Sequence, residues 1–212
     1  MKKVSAISGV AAPLPLDNVD TDVIIRIEKL AQCPRDELGR WGFAPLRFGP
    51  DGAENPDFVL NQTAWRGAPI LVAGRNFGCG SSREHAVWAL QGMGIGCVIA
   101  PSFGDIFRSN CYQNGVLPVQ LDAADAQQLL GYLEEYHKRG EARRITVDLE
   151  RQSIRWPGGA DLAFGIEARR RTALLEGLDE IGLTQMHQGQ IDAWQAEDRK
   201  RRPWIWSAAE AA

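Results

Sequence analysis

The chain has 212 residues, 44% of them hydrophobic, which is enough to bury the core of one generous domain. Its formal net charge of −3 and its isoelectric point near 5.7 give no overall attraction to nucleic acid or to an anionic membrane surface. No apolar run approaches membrane-spanning length, and the first residues are too interrupted for a signal-peptide core, so we expect a cytoplasmic protein.

An alternating segment and an acidic turn open the chain. Residues 4–16 alternate as a strand does, and Asp17-Asn18-Val19-Asp20-Thr21-Asp22 then places three carboxylates within six residues. The pattern is typical of a turn or a site, but it lacks the glycine and the distal glutamate of a calcium loop. The run 23–25 predicts a short buried strand or a helix start, and 27–38 predicts a helical or irregular segment.

Residues 39–69 mix chain breakers with aromatic residues. Glycines and prolines recur too often for long elements, while Trp41, Phe43, Phe48, Phe58 and Trp65 supply apolar surface. We therefore expect an ordered, packed loop, which is a candidate for a mobile cover over a site.

From residue 70 the pattern becomes strand, helix, strand, helix, strand. The predicted bounds are 70–73, 82–92, 97–100, 103–113 and 117–121. Such alternation predicts crossover connections and a parallel sheet, and therefore an α/β fold.

A glycine-rich turn joins the first of these strands to its helix. Gly74, Gly78 and Gly80 permit positive φ and close approach of a ligand to the main chain. The sequence from Ser81 to Glu84 matches a capping box, which predicts that the helix starts at about residue 82.

Arg83 adds a charge at this helix start. The free amides, the positive end of the helix dipole and a bidentate guanidinium favour a carboxylate or a phosphate. An ordinary capped strand-turn-helix joint is the alternative interpretation. Neither a dinucleotide fingerprint nor a P-loop fits, because Arg83 replaces the third glycine and no Gly-Lys-Ser/Thr follows.

The sequence of the C-terminal part of the chain predicts three helices and a hairpin. An Asp122–Asp125 box opens a helix to about 138, and 145–149 and 153–156 alternate around a short turn, which makes the sheet mixed. Further helices are predicted from about 167 to 176 and from about 186 to 199. We expect residues 200–212 to be a frayed tail and residues 1–212 to form a single domain.

The four cysteines do not form a metal motif. Cys33, Cys79, Cys97 and Cys111 include no Cys-x-x-Cys pair, which argues against a zinc site or an iron–sulfur cluster bound wholly by this chain. Cys79 with His85 as a nucleophilic pair is a weaker interpretation than a small residue that fills the turn.

Three ordered motifs carry a family resemblance. Residues 17–25, 76–86 and 99–107 together resemble the small subunits of 3-isopropylmalate dehydratases in the aconitase superfamily, and the similarity extends from about residue 7 to about 197. The resemblance implies a swivelling β/β/α domain with a mixed, largely parallel sheet. It also implies a large subunit that carries a [4Fe–4S] cluster, with no metal bound by this chain, and a role in leucine biosynthesis.

The resemblance also implies roles for single residues. In the family, the first serine of Gly-Ser-Ser-Arg removes the α-proton of the substrate, which corresponds to Ser81. Ser82 and Arg83 correspond to the residues that bind a substrate carboxylate, and Asp22 to a supporting aspartate. The resemblance assigns a supporting role, which is to shape the turn, to Gly78, Cys79 and Gly80.

Departures and alternatives stay open at this stage. Arg26 stands where the family usually has a proline, and Arg26, Arg35 or Arg40 is the candidate for a second carboxylate contact. The resemblance implies a 2-hydroxy diacid as substrate, either 2-isopropylmalate or another one such as citramalate or dimethylmalate. A non-catalytic anion-binding module is a second alternative. A serine hydrolase is disfavoured because the Gly-x-Ser-x-Gly elbow is missing.

Overall fold

The computed structural model describes residues 1–206. Contacts within the chain divide it into two compact units, one from Met1 to Gly177 and one from Leu178 onward. Since compactness alone does not decide whether two units fold independently, the single domain predicted over 1–212 stays a prediction.

A mixed sheet of seven strands forms the first unit. Its strands are β1 (Ala6–Leu14), β2 (Ile70–Ala73), β3 (Cys97–Ala100), β4 (Leu117–Gln120), β5 (Arg143–Asp148), β6 (Ser153–Arg155) and β7 (Leu162–Ala163). The spatial order is β4-β3-β2-β1-β5-β6-β7. The pairings among β1 to β4 are parallel, and those from β1 through β5 and β6 to β7 are antiparallel. The predicted α/β class with a mixed sheet is confirmed.

Helices surround this sheet in the first unit and make up the second. The first unit contains α1 (Thr21–Ile24), α2 (Ile27–Gln32), α3 (Ala44–Arg47), α4 (His85–Gly92), α5 (Asp105–Asn114), α6 (Ala123–His137) and α7 (Ala168–Glu176), with 3₁₀ turns at Arg35–Trp41 and Val59–Asn61. The second contains α8 (Glu180–Gln185), α9 (Gln188–Arg201) and α10 (Pro203–Trp206). No helix within residues 1–206 is long and apolar enough to cross a membrane.

Successive residues of the parallel strands alternate between two cores. In β2, Leu71 and Ala73 join the core that contains α4 and α5, while Ile70 and Val72 join the core that contains α6. All four residues are buried, so β2 is covered on both faces. Continuous burial of this kind explains why the apolar runs 70–73 and 97–100 predicted β2 and β3 with correct bounds.

Other sequence predictions are confirmed with small shifts at the ends. The hairpin forms from β5 and β6 in antiparallel register, and α5 starts two residues later than the predicted 103. The region 179–184, for which the sequence predicted no helix, forms α8, because the Asp179 side chain caps it by accepting from the amide of Gly182 at 2.7 Å.

The loop 39–69 is ordered and packed, as the sequence predicted. Its packing is organised around the buried side chain of Asn61. Asn61 Nδ2 donates to the carbonyls of Arg47 at 2.7 Å and Asn55 at 2.8 Å, and its Oδ1 accepts from Arg47 Nε at 3.1 Å. These bonds satisfy the buried amide fully, so the loop has a defined packing. Its role as a mobile cover stays a prediction.

The predicted frayed tail is helical where the structure describes it. Residues 200–201 end α9 and 203–206 form α10, while 207–212 lie outside the described residues. The carboxylate of Asp198 accepts from Arg202 Nε at 2.8 Å and from Trp206 Nε1 at 3.0 Å. These contacts hold the last described turn against the end of α9, and the charge pattern alone did not reveal them.

Candidate active site

The three sequence motifs meet at one edge of the sheet. Segments 17–22, 74–83 and 101–104 follow the ends of β1, β2 and β3, which are adjacent parallel strands. Because the carboxyl ends of parallel strands lie at the same edge, the motifs converge although they are far apart in sequence. This edge is the usual location of a ligand site in an open α/β sheet.

Main-chain hydrogen bonds join the acidic turn to the glycine-rich turn. The amide of Asn18 donates to Arg75 O at 2.9 Å, and the amide of Gly78 donates to Val19 O at 2.7 Å. The amide of Thr21 donates to Cys79 O at 3.0 Å. The two turns therefore run side by side, and neither is a free loop.

The third motif supports the glycine-rich turn from its other side. Phe77 donates its amide to Ser102 O at 3.1 Å and accepts from the amide of Gly104 at 2.9 Å. Ser102 also accepts from the amide of Asn76 through its Oγ, at 2.8 Å. With both sides bonded, the turn is held in one conformation.

Different physical constraints favour glycine at positions 78 and 80. Gly78 has φ of +71°, and a Cβ placed there would lie 2.2 Å from the ring of Phe107. Gly80 has φ of +90°, but its Cβ would lie 3.4 Å from the Cβ of Asp20, an ordinary contact. Gly78 is thus required by close packing and Gly80 by backbone conformation alone.

The main chain of Ser81 is fixed while its side chain is exposed. Thr21, which is only 1% exposed, donates from Oγ1 to the carbonyl oxygen of Ser81 at 3.1 Å. Ser81 and Ser82 are both exposed. The fold therefore presents two serine side chains on a tethered backbone.

Arg83 lies between an aspartate and a serine. It donates from Nη1 to the carboxylate of Asp22 and from Nη2 to Ser81 Oγ at 3.4 Å. The structure thus brings together four of the sequence-predicted site residues, namely Asp22, Ser81, Ser82 and Arg83. A cation beside a hydroxyl favours the charged form of that hydroxyl, as it does for any acid.

The predicted capping box does not form, and the prediction of a helix start at 82 is wrong. α4 begins at His85, and Glu84, its N-cap residue, makes no capping hydrogen bond through its side chain. Its Oε1 accepts instead from Asn114 Nδ2 at 2.7 Å. The carboxylate that the box requires is therefore bound to a residue thirty positions away, and residues 82–84 lie outside the helix.

The three candidate arginines occupy different surroundings. Arg26 and Arg40 line a cavity of about 800 Å³ beside the loop 39–69, together with Lys29 and the ring of Trp41. Arg35 instead donates to Asn114 Oδ1 at 3.1 Å and lies over the ring of Trp88 at 4.4 Å. The side chain of Arg35 therefore contacts residues of α4 and α5 and does not line this cavity.

Two of the four cysteines lie in the hydrophobic cores. Cys97 and Cys111 are fully buried, and burial raises the pKa of both thiols, which disfavours the thiolate that binds iron. Among residues 1–206, no three His, Cys, Asp or Glu side chains are grouped as a metal site requires. The ring of His85 packs on that of Trp88, with centroids 4.5 Å apart.

Sequence reasoning missed the roles of two residues that hold the turn. Thr21 anchors Ser81, and Asp20 caps α1 by accepting from the amide of Val23 at 2.8 Å. Both lie in the acidic motif, which the sequence marked as a turn or a site. A capping pattern before the apolar run 23–25 was the available signal.

Comparisons with known proteins show the family to which the chain belongs. Residues 1–124 match the family described as the aconitase C-terminal domain. The chain is 51% identical over 205 residues to the 3-isopropylmalate dehydratase small subunit of Rhodospirillum rubrum, covering 97% of each chain. It is 50% identical to that of Rhodopseudomonas palustris, covering 96% of this chain and all of the relative.

A solved structure has a similar fold. The crystal structure of 3-isopropylmalate dehydratase from Methanocaldococcus jannaschii aligns with a TM-score of 0.61 and 24% sequence identity, covering 90% of this chain and 99% of that one.

Proposed function

We propose that this chain, which belongs to the aconitase C-terminal domain family, is the small subunit of a 3-isopropylmalate dehydratase. This hydro-lyase interconverts 2-isopropylmalate and 3-isopropylmalate through isopropylmaleate, in leucine biosynthesis. Nearly full-length similarity to proteins of that name supports the proposal. The proposed location is the cytoplasm.

The proposed base is Ser81. Dehydration removes a proton from the carbon next to a carboxylate and a hydroxide from the neighbouring carbon. Rehydration then adds water to the double bond with the positions of the proton and the hydroxyl group exchanged. A serine hydroxyl is a very weak acid, so its alkoxide, the form that accepts the substrate proton and becomes the hydroxyl again, is populated only where negative charge on the oxygen is stabilised. The guanidinium of Arg83 at 3.4 Å from Ser81 Oγ is the single observation that carries the assignment.

Arg83 and Ser82 are proposed to bind a substrate carboxylate. The guanidinium can present two N–H groups to one carboxylate, and the hydroxyl of Ser82 is exposed beside it. Negative charge that develops on the carboxylate during proton removal is then stabilised where it forms. Asp22 is proposed to orient Arg83, while Gly78, Cys79 and Gly80 shape the turn.

The proposed partner is a large subunit that carries a [4Fe–4S] cluster. The cluster would supply Lewis-acid activation of the hydroxyl that leaves the substrate. Cys97 and Cys111, two of the four cysteines of this chain, are buried in the hydrophobic cores, which supports placement of the cluster on the partner. No binding to nucleic acid or to a membrane is part of the proposal.

Activity measurements on the assembled pair test the substrate. We expect kcat/KM to be highest for 2-isopropylmalate and much lower for citramalate and dimethylmalate. A higher kcat/KM for either of these diacids would keep the enzyme class and replace the substrate. Unchanged turnover after Ser81→Ala in the pair would favour a non-catalytic anion-binding module.

Anaerobic reconstitution tests whether the large subunit carries the cluster and whether this chain needs it for activity. Incubated alone with iron and sulfide, this chain is expected to stay colourless, iron-free and inactive, and to support turnover only after the large subunit is added. A stoichiometric cluster on this chain, or turnover without the partner, would reject the two-subunit proposal.

A further inference from the structure

Asn114 connects the end of α5 to the start of α4. Its Nδ2 donates to Glu84 Oε1 at 2.7 Å, and its Oδ1 accepts from Trp88 Nε1 at 2.9 Å. Its carbonyl oxygen accepts from Gln91 Nε2 at 2.6 Å. One residue thus contacts the N-cap residue of α4 and two residues within that helix.

The chemistry of the two partners sets the orientation of the amide. An indole N–H is only a donor, so the Asn114 oxygen must face Trp88. An ionised carboxylate is only an acceptor, so the Asn114 nitrogen must face Glu84. Arg35 Nη2, another donor, lies 3.1 Å from the same Oδ1 and reinforces this orientation.

The bond to Glu84 competes with a different local structure. The sequence from Ser81 to Glu84 can form a capping box, in which the Ser81 hydroxyl accepts from the amide of Glu84 and the carboxylate returns to the amide of Ser81. That arrangement would extend α4 toward residue 82 and occupy the Ser81 oxygen. The observed helix begins at His85, with Glu84 bound to Asn114.

We propose that Asn114 is a positioning residue that withholds Glu84 from the capping box and so leaves the Ser81 oxygen beside Arg83, available for proton transfer, without a second hydrogen bond from the amide of Glu84. The inference rests on the proposed function of Ser81. Asn114 touches neither substrate nor reacting atoms, and it acts through Glu84 and the conformation of residues 81–84.

Asn114→Asp tests the competition directly. The new carboxylate still accepts from Trp88 and Arg35 but repels Glu84, which becomes available to the box. In the assembled pair we expect kcat to fall about 10- to 100-fold, as misplaced catalytic groups typically cause, with KM changed less than about 3-fold. In the full chain, the Cα chemical shifts of residues 82–84 should move toward helical values.

A second substitution provides a rescue. With Glu84→Gln, the side-chain amide can donate to the carboxylate introduced at position 114, so the double variant Glu84→Gln/Asn114→Asp should recover most of the lost kcat and the original shifts of 82–84. Asn114→Ala deletes the donor without adding a charge and should reproduce both changes. Asn110→Asp makes the same charge change one turn earlier in α5 and should resemble the wild type.

Three results would overturn the proposal: wild-type kcat in Asn114→Asp, lost kcat with unchanged shifts at 82–84, or no recovery in the double variant. Failure of the proposed function has a different signature. Full turnover of Ser81→Ala would remove the base, while the shifts of 82–84 in Asn114→Asp would still report whether Asn114 opposes the capping box.

Discussion

Arg83 donates a hydrogen bond to the carboxylate of Asp22, which lies 61 residues earlier in the chain. The Arg83 side chain is 15% exposed and that of Asp22 52% exposed, so the arginine is the more enclosed partner. The contact connects the acidic turn after β1 to the glycine-rich turn after β2. Removal of Asp22 should therefore change the orientation of Arg83 more than the stability of the fold.

We expect Asp22→Asn to raise KM for the diacid several-fold while it changes the free energy of unfolding by less than about 1 kcal/mol, as a half-exposed ion pair contributes little. Steady-state kinetics of the assembled pair and denaturant unfolding of the chain measure the two effects. Asp17→Asn is the matched control, because Asp17 pairs with Arg75 at 2.8 Å in the same turn. Equal KM values for both variants and the wild type would remove Asp22 from the site.

Arg83→Lys retains the charge and loses the planar fork of donors. We expect a higher KM with a smaller loss of kcat, because one ammonium cannot hold both oxygens of a carboxylate in the same geometry. Arg75→Lys, at an exposed arginine that lies in the same glycine-rich turn and pairs with Asp17, should keep wild-type kinetics. An unchanged KM for Arg83→Lys would contradict its proposed contact with the substrate.

Local sequence signals predicted the parallel half of the sheet well. The runs 70–73 and 97–100 are apolar at every position because both faces of β2 and β3 are covered, and their shortness together with the glycines and prolines that flank them favoured a strand over a helix. The candidate site residues Asp22, Ser81 and Arg83 were chosen because they lie in motifs with family resemblance, and the structure brings them together. Their convergence follows from parallel strands that end at one edge of the sheet.

Long-range contacts explain what the sequence did not predict. The capping box from Ser81 to Glu84 is locally consistent, yet Asn114 binds the glutamate that completes it. Likewise, no local pattern indicated that Thr21 would hold the carbonyl of Ser81, sixty residues away. Tertiary partners override a local preference of about 1 kcal/mol, which is the typical magnitude for a helix cap.

Gly78→Ala should destabilise the fold more than Gly80→Ala. At Gly78 the positive φ and the overlap with Phe107 both oppose a Cβ, so we expect a loss of about 2 kcal/mol or more in the free energy of unfolding. At Gly80 only the conformational cost of about 1 kcal/mol remains. Denaturant unfolding of the two variants gives the comparison, and equal losses would show that the Phe107 contact has no cost.

Thiol reactivity should divide the cysteines into two pairs. Cys97 and Cys111 are fully buried and burial raises the pKa of both thiols, whereas Cys33 and Cys79 are only partly buried. A chromogenic disulfide reagent should modify Cys33 and Cys79 in the native chain and all four cysteines after unfolding. Rapid labelling of Cys97 or Cys111 in the native chain would contradict the packing of the two cores.

The role of Ser81 is tested most directly by turnover of the Ser81→Ala variant in the assembled pair. Because the Ser81 side chain is exposed and caps no helix, we expect unchanged unfolding and unchanged affinity for the large subunit. Turnover should fall about 10²- to 10⁴-fold, as the loss of a general base typically causes. Ser82→Ala is the matched control and should act mainly on KM. Turnover of Ser81→Ala above about a hundredth of the wild-type value, with the complex intact, would contradict its role as the base.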